Sequence, residues 1–130
     1  MTEEQKGLGE LELEVLKAIW QRPGCTVQEV AEVFGKARGH ARTTILTVMQ
    51  RLHRKGYLTR QKTSGVFRYT AVEGREKVLS RLIGQFVNTV LDGTPAPFLS
   101  FLADGSGLTS KQIKQLREIA ESLERNDKEL

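Results

Sequence analysis

At 130 residues, with 38% hydrophobic and 28% charged residues, the chain suits one small domain with an appended module and is too apolar to be disordered. Its formal charge of +4 is unevenly spread: residues 1–32 carry −4, residues 33–72 carry +9 with no Asp or Glu, and residues 73–130 carry −1. A single cysteine, Cys25, excludes an internal disulfide and a Cys-rich metal cluster, no run approaches membrane-spanning length, and the acidic start Met1-Thr2-Glu3-Glu4-Gln5 is unlike a secretory signal, so a cytoplasmic location without membrane contact is expected.

From Gly9 to Gln21, Leu11, Val15, Leu16 and Ile19 follow helical spacing, and Leu13 and Trp20 widen the stripe. Arg22-Pro23-Gly24 ends that helix. Thr26 and Glu29 form a capping box, and Val27, Val30, Ala31 and Phe34 continue a short helix that Gly35 is expected to close. A Gly-containing connector, Gly35 to Gly39, then leads into Ala41 to Gly56, the clearest helix in the chain.

In that helix Ile45, Val48, Met49 and Leu52 form one apolar stripe, and Gly56 sits where a left-handed glycine stops a helix. The other side carries Thr43, Thr47, Gln50 and Arg54, flanked by Thr44 and Arg51. Taken alone, such a face is most often merely solvated. Here it lies amid nine basic residues (Lys36, Arg38, Arg42, Arg51, Arg54, Lys55, Arg60, Lys62, Arg68) without one acid between Val33 and Val72, so a polyanion is the natural partner.

After Gly56, Tyr57 to Lys62 and Val66 to Ala71 read as two strands around a Thr63-Ser64-Gly65 turn. Phe67, Tyr69 and Ala71 share one face, which can cover the helices, while Arg68 and Thr70 share the other. Three helices followed by a hairpin make the order of a winged helix-turn-helix module. From Glu73 to Leu91 a broader stripe of Val78, Leu79, Leu82, Ile83, Phe86, Val87, Val90 and Leu91 begins, with no second core encoded to receive it. Asp92 to Pro97 breaks it, Phe98 to Ala103 is a short apolar segment, Asp104-Gly105-Ser106-Gly107 is a turn, and Thr109 with Gln112 caps a last helix carrying Ile113, Leu116, Ile119, Ala120 and Leu123 on one side. A second copy of the chain is the simplest cover for these helices.

The expected fold is therefore mainly α with a small β-hairpin wing: a winged helix-turn-helix DNA-binding domain over residues 1–72 and a helical dimerisation domain over residues 73–130. Arg42, Thr43, Thr44, Thr47, Gln50, Arg51, Arg54, Lys55, Lys62, Thr63, Ser64 and Arg68 are the expected DNA-binding residues. Thr43, Thr44 and Thr47 would approach base edges from the first turns of the recognition helix, and the later cations and the wing would meet phosphates. Leu79, Leu82, Ile83, Phe86, Val90, Ile113, Leu116 and Leu123 are the expected dimerisation residues.

Catalysis would have to come from Cys25, His40 and His53, which form no recognisable set, so no enzyme activity, metal or cofactor is expected. Cys25, beside a helix start, would have a modestly lowered pKa if anything, with small-residue packing its expected role. Two other functions stay open on the residues alone. One is a winged-helix protein-interaction module, which would not ordinarily need a concentrated basic run. The other is a ligand-sensing regulator, disfavoured by the few polar groups on the C-terminal helices.

LGELELEVLKAIW, TVQEVAE, ARTTILTVMQRLHRKGYLTR and the G-x-x-x-Y-x-A of Gly65 to Ala71 resemble the penicillinase repressor family (BlaI/MecI/CopY type) over roughly residues 8–125. The resemblance implies a homodimeric winged-helix repressor whose N-terminal domain reads the half-sites of an inverted-repeat operator on double-stranded DNA. In the antibiotic-resistance members it implies derepression by cleavage of an Asn-Phe bond in the dimerisation domain, with a sensor-linked protease as partner. The corresponding stretch here is Phe98 to Leu102, with Ser100-Phe101 at the bond. The paired Cys-x-Cys of the copper-responsive members has no counterpart, because no cysteine follows Cys25.

Overall fold

A computed structural model of the protein describes residues 7–104 and 107–129; the acidic start and the Gly105-Ser106 part of the expected turn lie outside the described residues. The chain divides into two compact units, Met1–Gly84 and Gln85–Leu130.

The first unit opens with α1 (Glu10–Gln21), whose Val15, Leu16 and Ile19 are buried, and is centred on α4 (Arg42–Arg54), whose Ile45, Val48, Met49 and Leu52 meet them. These seven side chains are the heptad-like stripes expected from the sequence, and each contributes about 1.5–3 kcal/mol of burial. Between the two helices, Thr26 and Glu29 exchange their capping-box bonds (Thr26 N to Glu29 Oε1 3.0 Å, Glu29 N to Thr26 Oγ1 3.1 Å) and start α2 (Val27–Val30).

The second helix does not close at Gly35. It widens into a π-helical turn (Ala31–Gly35) and ends with α3 (Lys36–Arg38), and Gly39, at φ 77°, is the left-handed residue that stops it. Gly35 serves a different need. A Cβ there would lie 3.0 Å from the His40 carbonyl oxygen and 3.4 Å from Ile45 Cγ1, so its missing side chain lets the turn cross close to the helix. The His40 amide in return donates to the Gly35 carbonyl at 2.7 Å. The turn into α4 is consequently shorter than the Gly35 to Gly39 connector expected from the sequence.

At its far end α4 is closed by Gly56 at φ 89°, with Gly56 N donating to His53 O at 3.1 Å and Tyr57 N to Leu52 O at 2.9 Å, the two bonds of a Schellman cap. Strands β1 (Leu58–Thr63) and β2 (Val66–Ala71) pair antiparallel with Leu58 opposite Ala71 and Thr63 opposite Val66. Ser64 (φ 52°) and Gly65 (φ 82°) make the two-residue turn with both central residues left-handed, the geometry that matches strand twist. Cys25 adds a one-residue bridge to β2, since Tyr69 N donates to Cys25 O at 2.8 Å and Gly24 N to Tyr69 O at 2.9 Å. The buried Tyr69 thereby locks the hairpin onto the helices.

The stripe that begins α5 (Arg75–Thr89) does find a core. Val78 is 1% exposed within the winged-helix cluster and Leu82 packs against it. The entry to α5 is fixed from both sides. Trp20 Nε1 donates to Glu73 O at 3.0 Å, and Arg81 Nη2 bonds Glu73 Oε1 at 2.7 Å with its guanidinium 6.0 Å from the Tyr57 ring centroid.

In the second unit Asp92 (φ 55°) and Gly93 (φ 79°) turn the chain out of α5 into α6 (Ala96–Ala103). The last helix, α7 (Ser110–Glu129), starts from the expected capping box, Thr109 N to Gln112 Oε1 2.9 Å and Gln112 N to Thr109 Oγ1 3.1 Å. Phe86, Val90, Phe98, Leu99, Phe101, Ile113, Leu116, Ile119 and Leu123 are all exposed.

Candidate nucleic-acid interface

The solvent side of α4 presents Thr43, Thr47, Gln50 and Arg54, all exposed, with Thr44 and Arg51 half-buried at one edge. The Thr47 hydroxyl donates to the Thr43 carbonyl at 3.0 Å, which fixes the rotamer of this exposed side chain. Arg42, at the first position of α4, donates through Nε to Gln28 Oε1 at 2.8 Å, and Gln28 Nε2 donates on to Glu32 Oε2 at 3.1 Å. The guanidinium is thus tethered from α2, and the residue stays exposed.

Two hollows flank this face. One, of about 300 Å³, lies between α4 and the wing, with Gln28, Arg42, Leu46, Gln50, Arg60 and Phe67 among its lining. The other, of about 290 Å³, is lined by Leu11, Thr43, Thr44, Thr47, Val48 and Arg51. Gln28, Leu46 and Arg60 were not among the residues expected from sequence. For Arg60 the signal existed: it alternates with Lys62 on β1 and stands opposite Tyr69, so it shares the face turned toward the helices.

On the wing, Lys62, Thr63 and Ser64 are exposed around the turn. Phe67 forms a platform there, with the Arg60 guanidinium 4.1 Å from its ring centroid and Lys62 Nζ 5.6 Å from it. Arg68 projects from the opposite face, where Nη1 donates to Gly24 O at 2.9 Å and lies 3.9 Å from Glu29 Oε1. It braces the hairpin against the start of α2 as well as offering charge.

The end of α4 is different again. Lys55 Nζ lies 2.9 Å from both carboxylate oxygens of Glu12, and Arg51 Nη1 lies 3.5 Å from Oε2. Burial alone would push the Glu12 carboxyl up, but the Gly9 amide, the Lys55 ammonium and the Arg51 guanidinium outweigh it and hold the group below the usual carboxylate range. The sequence placed both cations in the basic run without revealing this acid, which comes from α1.

The three residues considered for catalysis are otherwise occupied. Cys25 is buried, and burial together with the nearby Glu29 pushes its thiol up, opposite to the lowering expected from a helix start. His40 stacks on Phe34 with centroids 6.1 Å apart. His53 is held below its usual value by burial and by the Arg60 charge. Among the described residues no group of three His, Cys, Asp or Glu could hold a metal ion, and no helix is long and apolar enough to cross a membrane.

Of the expected dimerisation residues, Ile83, Phe86, Val90, Ile113, Leu116 and Leu123 are exposed, Leu79 is half-buried, and Leu82 is turned to the winged-helix core. Ser100 and Phe101 are exposed on α6. Phe86, Leu91, Pro97, Phe98 and Phe101 enclose a hollow of about 350 Å³.

The sequence model of the family described as penicillinase repressor matches residues 8–122. The chain is 28% identical over 122 residues to the penicillinase repressor of Bacillus licheniformis, a match covering 94% of this chain and 95% of that protein. It is 35% identical over 77 residues to the transcriptional regulator BlaI of Mycobacterium tuberculosis, covering 58% of this chain and 56% of that one. A solved transcriptional regulator from Thermotoga maritima has the same fold, with a TM-score of 0.52 at 20% identity over 94% of this chain and 80% of that one. With a polar helix face and a hairpin wing in an acid-free basic segment, and a family match spanning nearly the whole chain, the protein belongs to the penicillinase repressor family, winged-helix DNA-binding transcriptional repressors and not enzymes.

Proposed function

We propose that this repressor binds an inverted-repeat operator as a homodimer and controls β-lactam-resistance genes or a related stress circuit from the cytoplasm. Residues 1–72 read the DNA, and residues 73–130 join the two copies, the first turns of α5 serving also as a brace for the DNA-reading part. The observation that carries the reading is the exposed hydrogen-bonding face of α4 beside the wing, in a segment of charge +9 without an acid. Thr43, Thr44, Thr47 and Gln50 approach base edges, Arg42 reaches the groove edge from its Gln28 tether, and Arg54, Lys62, Thr63, Ser64 and Arg68 meet phosphates. Arg51 and Lys55 stand at the same end of α4 as Glu12 and are treated below.

The dimer reading rests on the apolar side chains exposed along α5, α6 and α7. The hollow beside Phe86 and Phe98 is lined by apolar side chains only, which suits a side chain from a second copy better than a small polar effector. Derepression proceeds by proteolysis near Ser100-Phe101, by a sensor-linked protease. That bond lies inside α6, so the helix must open locally before it can be cut. Sedimentation of the intact protein at micromolar concentration tests the assembly: a dimer is expected, and a monomer would overturn it.

A further inference from the structure

Nine cations crowd residues 33–72, and among the described residues three acids from outside that segment reach them: Glu14 at Arg38, Glu29 at Arg68 and, far more deeply buried than either, Glu12 at the end of α4. Glu12, on the third position of α1, has a side chain only 4% exposed. Its carboxylate accepts from the Gly9 amide at 2.8 Å and from Lys55 Nζ at 2.9 Å on both oxygens, with Arg51 Nη1 at 3.5 Å. Lys55 is itself drawn in, with 20% of its side chain exposed, and gives a further bond to Gly7 O at 3.2 Å. A carboxylate this buried is costly to leave unpaired, so the contact is not a loose surface bridge.

We propose that Glu12 is a positioning residue that limits sequence-independent DNA affinity: it holds Lys55 and, in part, Arg51 on the protein at the end of the recognition helix, keeping their charge out of phosphate binding. The proposal rests on the DNA-binding role of α4 and adds a restraint to it. Non-specific affinity grows with the number of phosphates that Lys and Arg neutralise, whereas base contacts by Thr43, Thr47 or Gln50 owe nothing to that count. Withdrawing two cations therefore lowers affinity for any duplex by a similar factor and leaves a larger share of operator binding to the base contacts. The same contact docks the end of α4 onto the start of α1.

The experiment measures binding of the intact protein to an operator duplex and to a random duplex of equal length over a range of salt, for Glu12→Gln, Lys55→Gln and the double variant, with thermal unfolding recorded for each. Glu12→Gln should steepen the slope of log affinity against log salt by roughly one to two units on both duplexes and leave the operator-to-random ratio nearly unchanged. Lys55→Gln should leave the slope as in the wild type, and the double variant should fall back by roughly one unit from Glu12→Gln. A folded Glu12→Gln protein with an unchanged or shallower slope overturns the proposal, since a purely structural acid would weaken both duplexes without steepening either. So does a one-unit loss of slope in Lys55→Gln. That second variant decides the matter by itself should Glu12→Gln fail to fold. Absence of salt-dependent binding by the wild type would instead strike at the DNA-binding role itself.

Discussion

The indole Nε1–H of Trp20 donates to the main-chain carbonyl of Glu73 at 3.0 Å, tying the end of α1 to the residue from which α5 departs. Together with Val78 in the core, this bond makes the first turns of α5 part of the winged-helix unit. The helix that leads into the second unit is thus also a structural element of the winged-helix unit.

A fragment of residues 1–84 should accordingly fold more stably than one of residues 1–72. The shorter piece loses the buried Val78, about 1.5–3 kcal/mol, and the Trp20 hydrogen-bond acceptor, about 1 kcal/mol. For a domain of this size the deficit lowers the Tm by about 10–30 °C. Thermal denaturation followed by circular dichroism checks it; equal midpoints would show that α5 adds nothing to that core.

Gly35→Val should destabilise the protein by about 1–3 kcal/mol, because a Cβ meets the His40 carbonyl at 3.0 Å where the turn is held by its own 2.7 Å hydrogen bond. Urea denaturation measures this. A neutral effect would mean that the turn can move away.

The periodic parts of the fold were legible in the chain. The stripes of α1 and α4, the capping boxes at Thr26 and Thr109, the Gly56 stop and the alternation in β2 all depend on near neighbours in sequence, and each has its expected place. What escaped depends on distant residues. Gly35 reads as a helix stop by local rules, but its role is set by the His40 carbonyl that crosses it. Lys55 reads as one more phosphate ligand until Glu12, 43 positions earlier, is brought beside it. The destination of Val78 was hidden for the same reason: a stripe shows that a face will be buried and leaves open against what.

Acid should unfold the protein partly through Glu12 and Glu73. Both carboxyls are held below the ordinary value of 4.5: Glu12 by its three donors against the opposing effect of burial, Glu73 chiefly by the Arg81 hydrogen bond. A depressed folded-state pKa contributes stability that is full above pH 4.5 and is lost as pH falls below it toward the folded value. Urea midpoints should therefore drop below pH 4.5, and less so in Glu12→Gln. Identical acid limbs in the two proteins would contradict the assignment.

Gln50→Ala and Thr47→Ala should each cost about 1–3 kcal/mol on operator DNA and little on random DNA, since amide and hydroxyl groups on this face would read base edges. Thr47 keeps its bond to the Thr43 carbonyl in the wild type, so its methyl is presented in a fixed direction. Competition titrations with single base-pair changes would localise each contact. Equal losses on both kinds of DNA would remove these residues from base reading.

The central claim is that two copies of α4, joined through the C-terminal helices, read DNA together. Linking two modules makes the second contact effectively intramolecular, raising affinity by roughly 10²–10⁴-fold, and two-fold symmetry in the protein demands the same symmetry in its site. Selection from a random duplex library with the intact protein, repeated with residues 1–84, is the most direct measurement. The account predicts an inverted repeat with a fixed half-site spacing for the intact protein, and weak enrichment of a single half-site by the fragment. A selected sequence without two-fold symmetry, or equally strong selection of the full repeat by the fragment, would contradict it.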